Sequence, residues 1–158
     1  MFKQSFRNLT IILTLCCFLS VFQPKEALCA GTVMLHIGSD TVPSQFLASF
    51  KTEIAATPEE LSKGLMFKEF LPENEGMLFD FQKIQVPAMG MKNTIIPLDI
   101  LFIDDKGIII HIAENTVPYS EELITPARPC RYALEINAGL SAKYGIKTGQ
   151  KMLIGRLR

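Results

Sequence analysis

The acidic residue Asp99 is the first candidate for chemistry in this sequence. It lies within residues 95–103, a run of aliphatic and aromatic side chains broken only by one proline and this aspartate. Such a run predicts a strand that is buried on both faces. A carboxylate in that place needs a cation or hydrogen-bond donors, because an unpaired buried charge is costly. Lys92 is the expected partner, since a tight reversal at residues 96–97 would place Thr94 opposite Asp99 and Lys92 diagonally across.

These residues predict a ligand-binding site. Amide and hydroxyl groups would orient a ligand, a lysine would supply positive charge and apolar neighbours would exclude water, which is the usual mixture in small-ligand pockets. The alternative is a structural ion pair, or a carboxylate that holds a loop. The ligand interpretation predicts a binding or interaction module for a sugar, a small carboxylate or a partner peptide, with no catalytic residue assigned. The predicted site consists of Lys92, Asn93, Thr94 and Asp99.

Four methionines form a second candidate site. Thioether sulfur is a soft ligand that suits Cu(I), and by the same chemistry Ag(I), in an exported protein. Met34 and His36 share one face of an early strand pattern and could join them. The alternative is that methionine fills irregular gaps in the core. The four candidate ligands are Met66, Met77, Met89 and Met91.

A carboxylate-based hydrolase is the third function class. Asp99 and Glu135 both lie within predicted strands, and two carboxyl groups can divide acid and base roles when their environments separate their pKa values. The histidines, His36 and His111, are too far apart in sequence for a local zinc motif and are interpreted as strand-face residues. The sequence contains no serine-centred elbow, phosphate-binding glycine loop or Cys-x-x-Cys motif. Whether the protein is an enzyme stays open at this point.

Residues 1–30 predict a secretory signal peptide. Lys3 and Arg7 precede an uncharged, mostly apolar stretch at residues 9–22, and small residues occur at 29–31. The stretch has 14 residues, fewer than the roughly 20 that a transmembrane helix needs. We expect cleavage near residues 29–31 and a periplasmic or extracellular protein. The alternative is an uncleaved leader that attaches the chain to the membrane.

Cleavage would leave Cys130 as the one cysteine of the mature chain, so that no internal disulfide could form. Arg128 and Arg131 flank this thiol and could lower its pKa, but the local sequence offers no histidine base. The sequence therefore favours a buried or idle thiol over a nucleophile.

Length and composition predict one packed domain at residues 31–158. A chain of 158 residues corresponds to about one domain at roughly 100–200 residues each. Hydrophobic residues make up 48% and charged residues 20%, which is typical of a globular protein. The 16 basic and 16 acidic side chains give no excess positive charge, so the composition argues against nucleic-acid binding.

The hydropathy pattern predicts a mainly β fold, either a single compact β-sandwich or a partly closed barrel, with two short helices. Thr57, Pro58 and Glu60 form a helix-start signal, and Gly64 is the expected stop. A second short helix is predicted at residues 140–144. Strands are predicted at residues 32–37, 46–55, 77–81, 95–103, 108–113, 132–137 and 151–154.

Five motifs in this order resemble the domain of unknown function 192 family of small β-rich proteins. The resemblance covers residues 54–154 and implies a compact, jelly-roll-like fold, often behind a signal peptide, without assigning a reaction. The sequence departs from the family at Gly90, because the resemblance implies a tryptophan at this position. If the tryptophan forms the wall of a pocket in the relatives, that wall is missing here, or Met89 or Phe81 takes its place. The motifs are GLMF at 64–67, EGMLF at 75–79, MKNTIIPLDI at 91–100, LEINAG at 134–139 and GIKTG at 145–149.

Overall fold

The computed structural model describes residues 31–38 and 46–155, which form seven strands and two short helices. The elements are β1 Thr32–Gly38, β2 Phe46–Ala55, α1 Pro58–Lys63, β3 Glu75–Gln85, β4 Leu98–Ile103, β5 Ile109–Ala113, β6 Cys130–Asn137, α2 Leu140–Tyr144 and β7 Lys151–Gly155.

All seven strands belong to one sheet, in the order β5-β4-β6-β3-β2-β1-β7. The sheet curls until its two edges touch: Ile108, just before β5, forms an antiparallel bridge with Lys151 of β7. Next to that bridge the backbone N–H of Ile109 donates to the Gln150 carbonyl at 2.9 Å. The fold is therefore a curled, partly closed barrel rather than two stacked sheets, and the predicted mainly β class is confirmed.

The one parallel pair of strands explains how the outer face is covered. β2 and β3 run parallel, and parallel neighbours cannot be joined by a tight hairpin. The connection, residues 56–74, instead crosses over the sheet and carries α1; we call these residues the crossover. The helix starts as predicted, because Thr57 and Glu60 form a reciprocal capping box and Pro58 occupies the first turn.

The two faces of the sheet carry separate hydrophobic cores. The concave core draws on both edge strands, for example Ile109 of β5 and Met152 of β7, and on interior strands between them, such as Leu101 of β4. The convex core lies beneath the crossover and includes Phe79 of β3 and Ile100 of β4. Since side chains alternate along a strand, neighbouring residues of β3, β4 and β6 enter different cores.

Every predicted strand and helix is present, but two strands differ markedly in extent. The strand predicted at residues 77–81 is longer, since β3 runs over Glu75–Gln85. The run at residues 95–103 becomes a strand only from Leu98. β4 is an interior strand whose two sides are occupied by β5 and β6, so residues 92–96 cannot pair with it. The predicted leader lies outside the described residues. Among the residues described, no helix is long and apolar enough to span a bilayer.

Candidate functional site

A cavity of about 500 Å³ opens on the convex side of the sheet, between the strands and the loops above them. Its floor consists of Phe79 and Phe81 of β3 together with Glu135 of β6. The loops supply Gly64, Lys92 and Ser120, among other residues. We call it the Glu135 cavity. Its position follows from the parallel β2–β3 pair, because the crossover must pass over this face.

Glu135 is the chemically unusual group of this cavity. Its cross-strand neighbours are Met77 of β3 and Ile100 of β4, both apolar, and only 5% of the residue is exposed. Desolvation by burial raises the pKa of the Glu135 carboxyl to about 8, and within the described residues no hydrogen bond or cation offsets that rise. At neutral pH the carboxyl group is therefore predominantly protonated, and it offers both an O–H donor and a carbonyl acceptor.

Gly64 brings the crossover down onto this carboxyl. A Cβ at Gly64 would lie 2.9 Å from Cζ of Phe79 and 3.8 Å from Oε2 of Glu135. The backbone also adopts φ 47 and ψ −134 there, a conformation that only glycine tolerates readily. Glycine is thus required both by the close approach and by the dihedral angles, and its lack of a side chain keeps this wall of the cavity thin.

The three loops above the cavity are joined by backbone hydrogen bonds. Phe67 N–H donates to the Asn93 carbonyl at 2.9 Å, and Tyr119 N–H donates to the Thr94 carbonyl at 3.1 Å. Phe67, Asn93 and Tyr119 all have positive φ, at 63°, 55° and 61°. Positive φ is unfavourable for bulky side chains such as phenylalanine and tyrosine. The three residues do not line the cavity themselves, but each is adjacent in the chain to a lining residue: Met66, Lys92 and Ser120 respectively. Strained residues are often found at functional sites, so the strain supports this region as a candidate site.

The charged side chains that line the cavity lie at its mouth. Lys63, Lys92 and Glu121 contribute to the lining, and all three residues are solvent-exposed. The cavity therefore has a buried carboxyl at its base and charges of both signs at its opening.

The four residues of the predicted ligand site are divided between two places. Lys92 and Thr94 line the Glu135 cavity, and Asn93 forms the left-handed turn between them. Asp99 does not line this cavity. It belongs to the other face of the sheet, because its register partner is Ile136 of the concave core. Binding by these residues stays a prediction, but Asp99 and Lys92 do not act in one pocket.

The predicted pairing of Asp99 with Lys92 is wrong. Asp99 is fully buried, and its carboxylate accepts three backbone N–H groups. Its Oδ1 lies 2.8 Å from the nitrogen of Asn115 and 3.1 Å from that of Gly139, and its Oδ2 lies 2.9 Å from that of Ser141. Asp99 thus ties the segment after β5 to the start of α2, which is the loop-holding role that the sequence left open as an alternative.

The carboxylate pair predicted for a hydrolase is also separated. Glu135 pairs with Ile100 in the β4–β6 register, one position along from Asp99. Side chains one position apart on a strand point to opposite faces. Asp99 and Glu135 therefore cannot share a substrate on the described sheet.

The four methionines do not converge on one point. Met66 and Met89 line the Glu135 cavity. Met66 and Met77 line a second cavity, of about 530 Å³, beyond the crossover wall. Met91 is buried, and the Thr116 hydroxyl donates to its sulfur at 3.1 Å. The described residues also contain no cluster of three His, Cys, Asp or Glu side chains suited to a metal.

Cys130, Arg131 and His36, the other side chains considered for chemistry, are each held by burial, an ion pair or ring stacking. Cys130 is buried, and desolvation raises the pKa of its thiol to about 11, so it is a poor nucleophile. Arg131 does not activate it, because its guanidinium makes a bidentate pair with buried Asp80, at 2.8 and 3.1 Å. His36 stacks on Phe46, with ring centroids 4.4 Å apart.

Sequence reasoning missed the role of Glu135 as a cavity floor. It singled out this residue only as one half of a hydrolase pair. The available signal was an acid flanked by apolar residues within β6, in the motif LEINAG. What the pattern could not reveal is that the crossover covers this face closely enough to bury the carboxyl.

A protein-family model, DUF192, described as an uncharacterized conserved family (ACR), matches residues 40–154. A search of the curated proteins finds no match to this chain.

Two solved structures are similar over most of the chain. One is a Sinorhizobium meliloti protein described as a candidate transcription regulator: it has a TM-score of 0.75 and 32% identity, over 82% of this chain and 98% of its own. The other, a protein of unknown function from Novosphingobium aromaticivorans, has a TM-score of 0.72 and 38% identity, over 77% of this chain and 84% of its own.

Gly90, where the sequence departs from the expected family motif, lies in the wall of the Glu135 cavity, and Met89 and Phe81 line the same cavity. A Cβ placed at Gly90 would contact only the Glu122 carbonyl oxygen, at an ordinary 3.6 Å. This wall therefore has room for a side chain that this protein lacks.

Proposed function

The chain belongs to the DUF192 family, and on that premise we propose that it is a binding module that holds a small ligand in the Glu135 cavity. One observation carries the proposal: a carboxyl group is buried at the base of an open cavity without a hydrogen-bond donor from the described chain. The oxygens of Glu135 are not among the fully enclosed polar atoms that lack a partner, so they open to the cavity, and a ligand there would supply the donor that the described chain does not.

The form of the cavity supports this function. Its volume of about 500 Å³ lies within the roughly 300–1,000 Å³ of typical small-ligand sites. Phe79, Phe81 and Met89 supply apolar walls, while Thr94 and Ser120 add polar groups. Such a combination of apolar area with a few directional groups favours a ligand that is itself partly apolar. Lys92 lies at the mouth of the cavity and supplies a positive charge there, as the sequence predicted.

A ligand screen on the protein tests the proposal. Thermal shift against small acids, amines and sugars should identify ligands that raise the melting temperature with concentration, because they bind the folded state. Amide chemical-shift changes should then centre on Gly64, Gly90 and Lys92.

The variant Gly90→Phe should fill the cavity and abolish the effect. Val86→Phe serves as the matched control, because Val86 is 53% exposed and lies outside the cavity lining. Ligands that shift both variants equally would place binding elsewhere and overturn the proposal.

We further propose that the module acts after export, since residues 1–30 have the organisation of a secretory signal. Fusion of residues 1–35 to a reporter enzyme that is active only outside the cytoplasm tests this. Active reporter is the expected result, and replacing Lys3 and Arg7 by glutamate should reduce it. An inactive reporter fusion would contradict export.

Nucleic-acid binding, the activity that the description of the S. meliloti relative raises, is not part of the proposal. The 16 basic and 16 acidic side chains give this chain no net positive charge for a phosphate backbone. A gel-shift assay at low salt should show no retention of duplex DNA, and salt-dependent retention would contradict this expectation.

A further inference from the structure

Building on the proposed function, we propose that the ligand of the Glu135 cavity is an organic amine whose protonated nitrogen pairs with the Glu135 carboxylate while its apolar stem packs against Phe79 and Phe81. Three features of the molecule support this: the surroundings of Glu135, the walls of the cavity and the positions of the charged side chains.

No cation of the described chain reaches Glu135. The cross-strand neighbours of Glu135 are Met77 on β3 and Ile100 on β4. From above, the crossover presents the backbone of Gly64. Met77 and Ile100 have no side-chain donor, and the Gly64 N–H is already donated to the Glu60 carbonyl at 2.9 Å. Among the described residues these three neighbours therefore give the carboxyl neither a hydrogen bond nor a positive charge, and its remaining side faces the cavity.

The chain's own charged groups around the cavity stay at the mouth. The crossover contributes Lys63, the loop before β4 contributes Lys92 and the loop before β6 contributes Glu121, and each of these residues is exposed. No salt bridge between either lysine and Glu135 occurs among the described residues, whereas Lys51, Arg131 and Lys143 do form salt bridges. A cation that pairs with Glu135 would therefore have to come from a ligand.

An ammonium group fits this position better than an anion or a neutral group. It offers three N–H donors and a full charge to a carboxylate in a medium of low dielectric constant, where such a pair is strong. The aromatic rings of Phe79 and Phe81 attract a cation through their negative faces. An anionic ligand group would be repelled by an ionised Glu135, and a hydroxyl would gain only one neutral hydrogen bond.

Amine binding must compete with the proton on Glu135. The free carboxyl, with its pKa raised to about 8, is mostly protonated at neutral pH, while the amine pairs with the ionised form. Binding therefore releases a proton, and the affinity for the amine should rise by about tenfold per pH unit well below pH 8, less steeply as pH approaches 8, and then level off. A neutral or anionic ligand that accepts a hydrogen bond from the protonated carboxyl should bind about equally at pH 6 and 7 and lose affinity as pH rises through 8.

Isothermal titration of the protein with three matched probes tests the inference. The probes are 2-phenylethylammonium, neutral 2-phenylethanol and anionic 3-phenylpropanoate, each at pH 6, 7 and 8. We expect the amine to bind most tightly and to gain about tenfold from pH 6 to 7. Glu135→Gln should remove this pH dependence and reduce amine affinity, while leaving binding of the alcohol in place. Glu121→Gln, at the mouth, is the control that should retain the pH dependence.

The outcomes separate the inference from the proposed function. If the alcohol or the acid binds in the cavity as tightly as the amine, or if amine affinity does not change with pH, the amine inference is overturned and the binding module survives. If none of the three probes binds and the wider screen also yields no ligand that Gly90→Phe blocks, both are overturned.

Discussion

Asp99 and Glu135 occupy neighbouring register positions on the adjacent strands β4 and β6, yet their carboxyl groups enter opposite faces of the sheet. On the concave side, three backbone N–H groups hold the carboxylate of Asp99. On the convex side, the carboxyl of Glu135 faces the cavity and receives no hydrogen bond from the described residues, and burial raises its pKa. Two acids in similar strand contexts thus have different roles, one in holding loops and the other as the anchor of the proposed site.

Glu135 should make the protein less stable as pH rises. The folded-state pKa of about 8 lies above the ordinary value of 4.5 for a glutamate, so the folded state binds the proton more tightly and the contribution of this group to stability is lost as pH rises from about 4.5 to 8. A pKa difference of one between the folded and unfolded states corresponds to about 1.4 kcal/mol, so the wild type should lose a few kcal/mol relative to Glu135→Gln between pH 5 and 9. Urea unfolding of both proteins at the two pH values measures this. An equal pH dependence in both would contradict the assignment.

Asp99→Asn should be strongly destabilising at neutral pH. The amide is neutral and accepts only through its oxygen, so all three N–H groups lose a charged acceptor and at least one of them loses any acceptor, at a cost of about 3 kcal/mol. Asp104→Asn is the matched control, because Asp104 also accepts two backbone N–H groups, at 2.9 and 2.8 Å, but in a solvent-accessible turn. We expect at most about 1 kcal/mol there. Equal losses in chemical denaturation would argue against the loop-holding role of Asp99.

Gly64→Ala should destabilise the protein more than Gly145→Ala. Both residues have positive φ, at 47° and 65°, but a Cβ at Gly64 meets Phe79 at 2.9 Å, whereas one at Gly145 meets nothing within 4 Å. We expect a cost of about 1 kcal/mol at Gly145 from backbone strain alone, and about 3 kcal/mol at Gly64, where steric overlap adds to it. Differential scanning calorimetry compares the two, and a similar loss at both sites would contradict the close approach of the crossover.

The methionine hypothesis remains open to a direct test. A copper site in the Glu135 cavity would require that titration with Cu(I) against a competing chelator show binding, and that this binding weaken in the double variant Met66→Leu with Met89→Leu, because these two thioethers share the cavity. Met91→Leu is the control, since its sulfur already accepts a hydrogen bond in the core. Affinity unchanged in the double variant would remove a copper site from this cavity.

Cys130 should resist alkylation in the folded protein. Burial raises the pKa of its thiol to about 11, which leaves about one thiolate in a thousand at pH 8. Peptide mapping after iodoacetamide treatment should find Cys130 modified only when denaturant is present. Rapid labelling of the native protein would show that the thiol is accessible.

The sequence by itself determined the local elements and the fold class. Alternating hydropathy located the strands, and the Thr57–Glu60 capping box, together with Gly64, located α1, because these signals act between residues close in the chain. It also predicted that Lys92 and Thr94 lie close together, and both line the Glu135 cavity. Tertiary structure alone decided which strands are neighbours. The placement of β4 between β5 and β6 removed the reversal expected at residues 96–97, and with it the Asp99–Lys92 pair.

The chemistry of the two carboxyl groups was likewise decided only by the tertiary structure. Asp99 receives its donors from residues 16, 40 and 42 positions away in the chain, and Glu135 is buried by a crossover that precedes it by some 70 residues. A pKa depends on every dipole, charge and solvent molecule around the group, and those neighbours are assembled by long-range packing. Local sequence patterns therefore cannot predict which groups will surround each carboxyl.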